Sequence, residues 1–136
     1  MILQRLLKPK DLIGVPWRVA FALQVDGWFL RSDIIWNKPN CMPESVKDRP
    51  TKSHEYIFLL SKSKHYYYDY QSIKEPSETG ELRNKRTVWN VNTQGFKDAH
   101  FATFPRNMIV PCIKLEVRQW MLSRILLGIR TDRGRL

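Results

Sequence analysis

The chain has 136 residues, 43% of them hydrophobic and 12% aromatic, which excludes a disordered chain and suits one domain or part of one. Its formal net charge of +10, from 23 basic and 13 acidic residues, favours phosphate-bearing partners, either nucleic acid or an anionic surface, although a merely basic soluble protein satisfies it too. No apolar run approaches the ~20 residues that span a bilayer, and the start from Met1 to Asp11 lacks a charged lead-in and a small-residue cleavage site.

Leu12 to Asp26 is predicted to be a helix. Pro16 suits its first turn, Val15, Val19, Ala22 and Leu23 recur at helical spacing, and Gly27 supplies a left-handed stop. Trp28 to Trp36, rich in β-branched and aromatic residues, predicts a strand. Asn37 to His54 carries three prolines (Pro39, Pro43, Pro50) and six charged residues, which predicts a long ordered loop of extended segments. The continuous apolar run within Glu55 to Lys62 predicts a strand buried on both faces, in the middle of an α/β sheet. Tyr66 to Tyr70 is expected as a short partner strand, Gln71 to Arg86 as a polar variable loop, and Thr87 to Val91 as another short strand. In Phe101 to Leu115, Pro105 is placed to open a helix that Pro111 kinks or limits. From Glu116 onward, Val117, Trp120, Met121, Ile125 and Leu126 fit an amphipathic helix, followed by a bare basic run from Arg130 to Arg135. Cys41 and Cys112 lack metal-type spacing and the three histidines are scattered, so no metal site is expected, and a reducing, cytoplasmic setting is.

Three constellations carry chemistry. The passage from Asp33 to Glu55 gathers amides, cations, carboxylates and an imidazole where two strands end, which is where ligands bind in open α/β sheets; a solvated surface loop has the same composition. His100-Phe-Ala-Thr-Phe104-Pro105 offers an aromatic wall and a helix start, or simply two core phenylalanines and a capping threonine. Lys62, Lys64, His65 and Tyr66 to Tyr68, with Arg83, Lys85, Arg86 and Trp89, interleave cations with rings, as phosphate-gripping surfaces do and as half-buried strands do.

The order of these pieces says more than any one of them. Trp28-Phe-Leu-Arg31-Ser-Asp33-Ile-Ile-Trp36-Asn-Lys38-Pro39-Asn40, then Met42-Pro-Glu-Ser45, Asp48-Arg-Pro-Thr51-Lys-Ser-His54-Glu55 and Tyr66-Tyr-Tyr-Asp69 closely resemble the β-group of bacterial and phage DNA methyltransferases. His100-Phe-Ala-Thr-Phe-Pro105 and Pro111-Cys-Ile113 are similar to the cofactor-side motif of that family, and the Gly14-Val-Pro-Trp17-Arg helix start fits as well. The resemblance spans about Leu7 to Ile113. It implies a Rossmann-like α/β sheet, S-adenosylmethionine as methyl donor, and double-stranded DNA whose target base is flipped out. It further implies transfer of the methyl group to the exocyclic amine of adenine or cytosine, as in restriction–modification. By the same resemblance, Lys38, Pro39 and Asn40 shape the target pocket, and Glu44, Arg49, His54 and Glu55 fix the loop and touch the base or its phosphates. His100, Phe101, Phe104 and Pro105 face the cofactor, and residues 71–86 form a short target-recognition segment.

The departures define the expectation further. The family's catalytic strand end, an Asp or Ser followed by Pro-Pro and an aromatic residue, occurs nowhere in the chain, and neither does the cofactor's glycine-rich turn; Arg106-Asn107 stands where acidic residues are common. Residues 1–115 are therefore expected to form a partial methyltransferase domain and 116–136 an atypical basic tail. A one-base shift of the coding frame lets the tail read Phe-Leu-Gly-Ser-Gly-Arg-Thr-Gly, close to the missing turn, so an out-of-frame tail is expected. With both motifs absent, the isolated chain is expected to transfer no methyl group and to hold the cofactor poorly if at all. A basic DNA-binding remnant, and a subunit completed by another chain, are the alternatives. Sheet edges left open would favour self-association.

Overall fold

The computed structural model describes residues 7–95 and 104–116. Helix α1 runs over Val15–Val25, with Pro16 in its first turn and Gly14 before it at φ 67°. Its end is a complete Schellman closure. Gly27 at φ 98° lets its own N–H reach the Gln24 carbonyl at 3.2 Å, and the Trp28 N–H reach that of Leu23 at 3.0 Å. A Cβ at position 27 meets open space, so only backbone strain opposes it. Gly27→Ala is therefore expected to lower stability by about 1–2 kcal/mol, read as a fall in the urea midpoint; an unchanged midpoint would show the stop to be dispensable.

Strand β1 (Phe29–Asn37) and strand β2 (His54–Ser61) pair antiparallel from Asn37↔His54 to Phe29↔Ser61, with one shift of register between Leu30 and Ser32. The run 71–86 is more ordered than the loop expected. A 3-10 turn at Gln71–Ile73 leads into a small hairpin, β3 (Glu75–Pro76) against β4 (Leu82–Arg83), closed by Ser77 N–H on the Glu81 carbonyl at 2.7 Å. Strand β5 (Val88–Asn90) then adds parallel to β1, giving a mixed three-stranded sheet of order β2-β1-β5. The chain is thus mixed α/β, as expected, but β1 is the central strand. The apolar run of β2 lies at an edge and is half-buried rather than enclosed on both faces. Its rings explain why the run is apolar even so: Tyr56 and Phe58 form one wall under α1.

Helix α2 (Arg106–Glu116) starts one residue after Pro105, whose carbonyl accepts from the N–H groups of Met108 and Ile109, and it continues through Pro111 to Glu116. Pro111 removes one intrahelical bond without ending the helix. The Tyr66–Tyr70 stretch is not a strand. One of its amides is tied to α2: the Asp69 N–H donates to the Leu115 carbonyl at 3.1 Å, and beyond the stretch Ser72 Oγ donates to that of Lys114 at 3.4 Å. These bonds satisfy carbonyls that a helix end leaves open.

Because strand side chains alternate, the two faces of the β1–β2 pair bury different layers. Ile34 and Ile57 join Ile73, Trp89, Val91, Cys112 and Leu115 in one apolar cluster under α2. On the opposite face the Trp17 ring meets Tyr56 at 5.6 Å and Phe58 at 5.1 Å, both edge-on. The packed stripe of α1 is therefore Trp17 and Ala20 with half-buried Leu23, whereas Val15, Val19 and Ala22, the other three residues of the spacing argument, stay exposed. Ala20 is small enough to bring the helix close, and only a ring as broad as Trp17 then reaches β2. No helix among the described residues is long and apolar enough to cross a membrane.

Candidate functional site

Strand β1 delivers Lys38 to the sheet end, and β2 begins there with His54 and Glu55. Lys38 Nζ forms an ion pair with Glu55 Oε1 and sits 4.4 Å from the ring centre of Trp36, while its backbone N–H donates to Ser53 at 2.8 Å. Alternation explains the geometry: residues 36 and 38 share a face, and Trp36 pairs across the sheet with Glu55. The cation is held from two sides, by Glu55 and by the Trp36 ring, with one-fifth of its side chain still exposed.

The connecting loop, residues 38–53, is fastened by polar contacts rather than by a core. Arg49 Nη1 reaches Glu44 Oε2 at 2.7 Å, and the Lys52 N–H approaches the same oxygen at 3.4 Å. The Arg49 hydrogen bond, then that from Lys52, holds the Glu44 carboxyl below its usual range. Lys10 does the same for Asp48 from outside the loop, at 2.7 Å. Asn40 makes a reciprocal pair with Thr93: Oδ1 accepts the Thr93 N–H at 2.8 Å and Nδ2 donates to its carbonyl at 3.2 Å. The extended backbone that three prolines impose is thereby anchored at both ends.

A depression of about 410 Å³ opens at this sheet end, lined by Pro16, Lys38, Glu44, Lys52, His54, Glu55 and Tyr56. Four of the seven residues singled out for the target side, Lys38, Glu44, His54 and Glu55, come together there. Arg49 acts behind the wall through Glu44, and Pro39 and Asn40 are exposed outside it, Asn40 being turned to Thr93. Tyr56, Lys52 and Pro16 complete the lining without having been singled out. The signal for Tyr56 was its place two residues after His54, on the same strand face; its ring stands edge-on to the imidazole at 5.2 Å. Pro16 comes from α1, and no local pattern announces that approach. Chemically, the depression offers two carboxylates, two ammonium groups, an imidazole and a phenol around one aromatic wall, donors and acceptors suited to the polar edge of a flat ring.

The cofactor side is different. His100 and Phe101 lie outside the described residues. Phe104 is 62% exposed, with its ring 6.4 Å from that of Trp36, and Pro105 is fully buried. Neither lines the depression above, nor those beside Asp26 and Trp28 or beside Arg86 and Asn90. Of the four residues named for the cofactor, the described ones thus present one exposed ring beside Trp36 and one buried proline.

Comparison with known proteins follows the same outline. The chain matches the family described as DNA methylase over residues 2–119. It is 69% identical over 107 residues to the type II methyltransferase M.Cfr9I of Citrobacter freundii, covering 79% of this chain and 36% of that protein. It is likewise 69% identical over 109 residues to M.SmaI of Serratia marcescens, covering 79% and 37%, and 48% identical over 114 residues to M.SfiI of Streptomyces fimbriatus, covering 84% and 24%. The chain therefore spans little more than a third of the length of the first two. With most of its residues inside the match, the chain belongs to the DNA methylase family.

Proposed function

We propose that this chain supplies the target-base side of an amino-specific DNA methyltransferase of Rossmann-like architecture, in which the complete enzyme moves a methyl group from S-adenosylmethionine to an adenine or cytosine amine. The carrying observation is the convergence of Lys38, Glu44, His54 and Glu55 on one depression, whose volume of about 410 Å³ falls in the range of small-ligand pockets, ~300–1,000 Å³. In this reading the loop receives a base turned out of the duplex. Carboxylates accept from an exocyclic amine, Lys38 and Lys52 donate to ring acceptors or the adjoining phosphate, and Tyr56 gives the base a face to lie on. The chain holds neither the side-chain oxygen that would orient the amine nor the glycine-rich turn, so it is proposed to be silent in methyl transfer alone. Its role is binding and positioning.

The test is duplex binding by the full chain, with the target base either paired or opposite an abasic position that releases it. We expect the unpaired target to bind more tightly, and Lys38→Ala to cut that preference about tenfold, the worth of one charge-assisted hydrogen bond. Equal affinity for both duplexes, or a variant that keeps the preference, would overturn the reading. A subunit completed by another chain is the second reading. It is favoured by the exposed apolar side chains Leu12, Val15, Val19 and Val25 around α1, and it predicts methyl transfer once a chain bearing the two missing motifs is added.

A further inference from the structure

The end of the sheet opposite the pocket carries an arrangement that the target-base reading leaves unused. The pairing of β1 with β2 shifts between Leu30 and Ser32: Leu30 faces Leu60, Ser32 faces Leu59, and Arg31 faces nothing. This is a β-bulge, a device that re-aims one side chain out of the alternating pattern. The re-aimed Arg31 donates from Nε to Tyr66 Oη at 3.2 Å and lies 5.5 Å from the Tyr66 ring centre, and Tyr66 is itself packed edge-on against Tyr68. Beside it, Lys62 Nζ lies 5.2 Å from the ring centre of Trp28, at the mouth of a depression of about 260 Å³ lined by Asp26, Gly27, Trp28 and Lys62.

Arg31, Lys62 and Lys64 form no ion pair among the described residues. All three are exposed. Asp26 lines the same depression without pairing with Lys62. Arg31 lies over the Tyr66 ring and Lys62 over the Trp28 ring. The rings hold long, mobile cations at fixed places and lower the entropy lost when an anion is gripped.

We propose that Arg31 and Lys62, held on Tyr66 and Trp28, form a second DNA contact that grips the phosphate backbone of the flanking duplex. The inference rests on the DNA partner proposed above, and its spacing is measured from the base pocket. The eight steps along β1 from Phe29 to Asn37 separate the two places by roughly 27 Å at ~3.4 Å per residue. At ~3.4 Å per base pair that is about eight base pairs, short of one helical turn. The strand pair is then a ruler between the turned-out base and a backbone clamp.

The experiment is salt-dependent fluorescence anisotropy of the full chain on duplexes with about 4 or about 12 base pairs on each side of the target, lengths that bracket the span above. R31A/K62A is expected to bind the longer duplex at least tenfold more weakly and the shorter one unchanged. Its salt slope on the longer duplex should be shallower by about 1.8, two phosphate contacts at ~0.9 each. Circular dichroism confirms the fold, and Tyr66→Phe, which keeps the ring but drops the hydroxyl, should lose less. Unchanged slope and affinity, equal losses on both duplexes, or no duplex binding by the parent chain would overturn the clamp. So would a loss confined to phosphatidylserine vesicles, which would assign the surface to a membrane. Lys38→Ala separates the two claims. If it abolishes the unpaired-base preference while R31A/K62A is silent, the clamp fails and the pocket stands; the reverse result leaves the clamp without the pocket.

Discussion

Trp36→Ala is expected to abolish cooperative unfolding of this chain or to lower its stability by about 3–5 kcal/mol, the cost of truncating a large buried aromatic. Trp36 is 4% exposed and sits on the central strand, flanked by Glu55 on β2 and Trp89 on β5. Its indole N–H donates to the Val91 carbonyl at 2.7 Å, which fastens the segment leaving β5 to the sheet. One ring thus closes the core and supports Lys38, and it is also the ring nearest to Phe104. Pairing holds the strands on both sides, so the backbone cannot move in to close a cavity at such a junction. Few other buried apolar residues are available to compensate: among the described residues they are Ala20, Ile34, Ile73, Trp89, Met108 and Leu115. Thermal melts followed by near-ultraviolet circular dichroism measure the effect. A fall in Tm under about 5 °C, roughly 1 kcal/mol for a domain of this size, would contradict it. Trp36→Phe separates packing from hydrogen bonding, since it retains an aromatic filler and leaves the Val91 carbonyl without its donor. It is expected to cost about 1–3 kcal/mol.

How much of this was readable in the sequence depended on whether the governing interaction was local. The Gly27 stop, the Pro16 start and the prolines of the long loop act on their own backbones, so their consequences appear where the residues stand. Strands β1 and β2 were readable for a related reason, since β-branched and aromatic runs favour extended backbone wherever they fall. The face of α1 was not. Apolar residues surround that helix, and what selects Trp17 and Ala20 is the aromatic wall of β2, which lies distant in the sequence. The Tyr66–Tyr70 stretch has strand composition, yet its Asp69 amide is bound to the Leu115 carbonyl of α2, distant in the sequence. The same division runs through the site. Lys38, Glu44, His54 and Glu55 stood out because they share one loop and its two strand ends, and the structure brings them into one depression. Pro16 arrives from another element, and Arg31 is re-aimed by a bulge that no residue pattern marks.

Glu75→Ala is expected to unlock the hairpin of β3 and β4 and to lower stability by about 2 kcal/mol, a figure reduced for the exposure of Arg86. The Glu75 side chain is 19% exposed and serves three cations: Arg83 Nε at 3.2 Å, Arg86 Nε at 2.9 Å and Lys85 Nζ at 3.8 Å. Partial burial on its own pushes the carboxyl upward, but Arg86, Lys85 and Arg83 together outweigh it and hold it below its ordinary 4.5. A depressed carboxylate stabilises the fold fully above that ordinary value and loses its contribution as the pH falls through the lowered one. Acid should therefore reproduce the variant: the stability gap between parent and Glu75→Ala closes once the pH drops below the lowered value. Removing the carboxylate also leaves three like charges around one vacated place, and Lys85 loses a partner that helps keep it over Trp89 at 5.0 Å. Hydrogen exchange resolves the change by position. Faster exchange is expected at the Ser77 amide, whose bond to Glu81 closes the hairpin, and at Arg83, with the β1–β2 amides unaffected. Uniform acceleration across the sheet would instead make Glu75 a support of the whole fold. A pH-independent gap would remove the carboxylate's charge from the explanation.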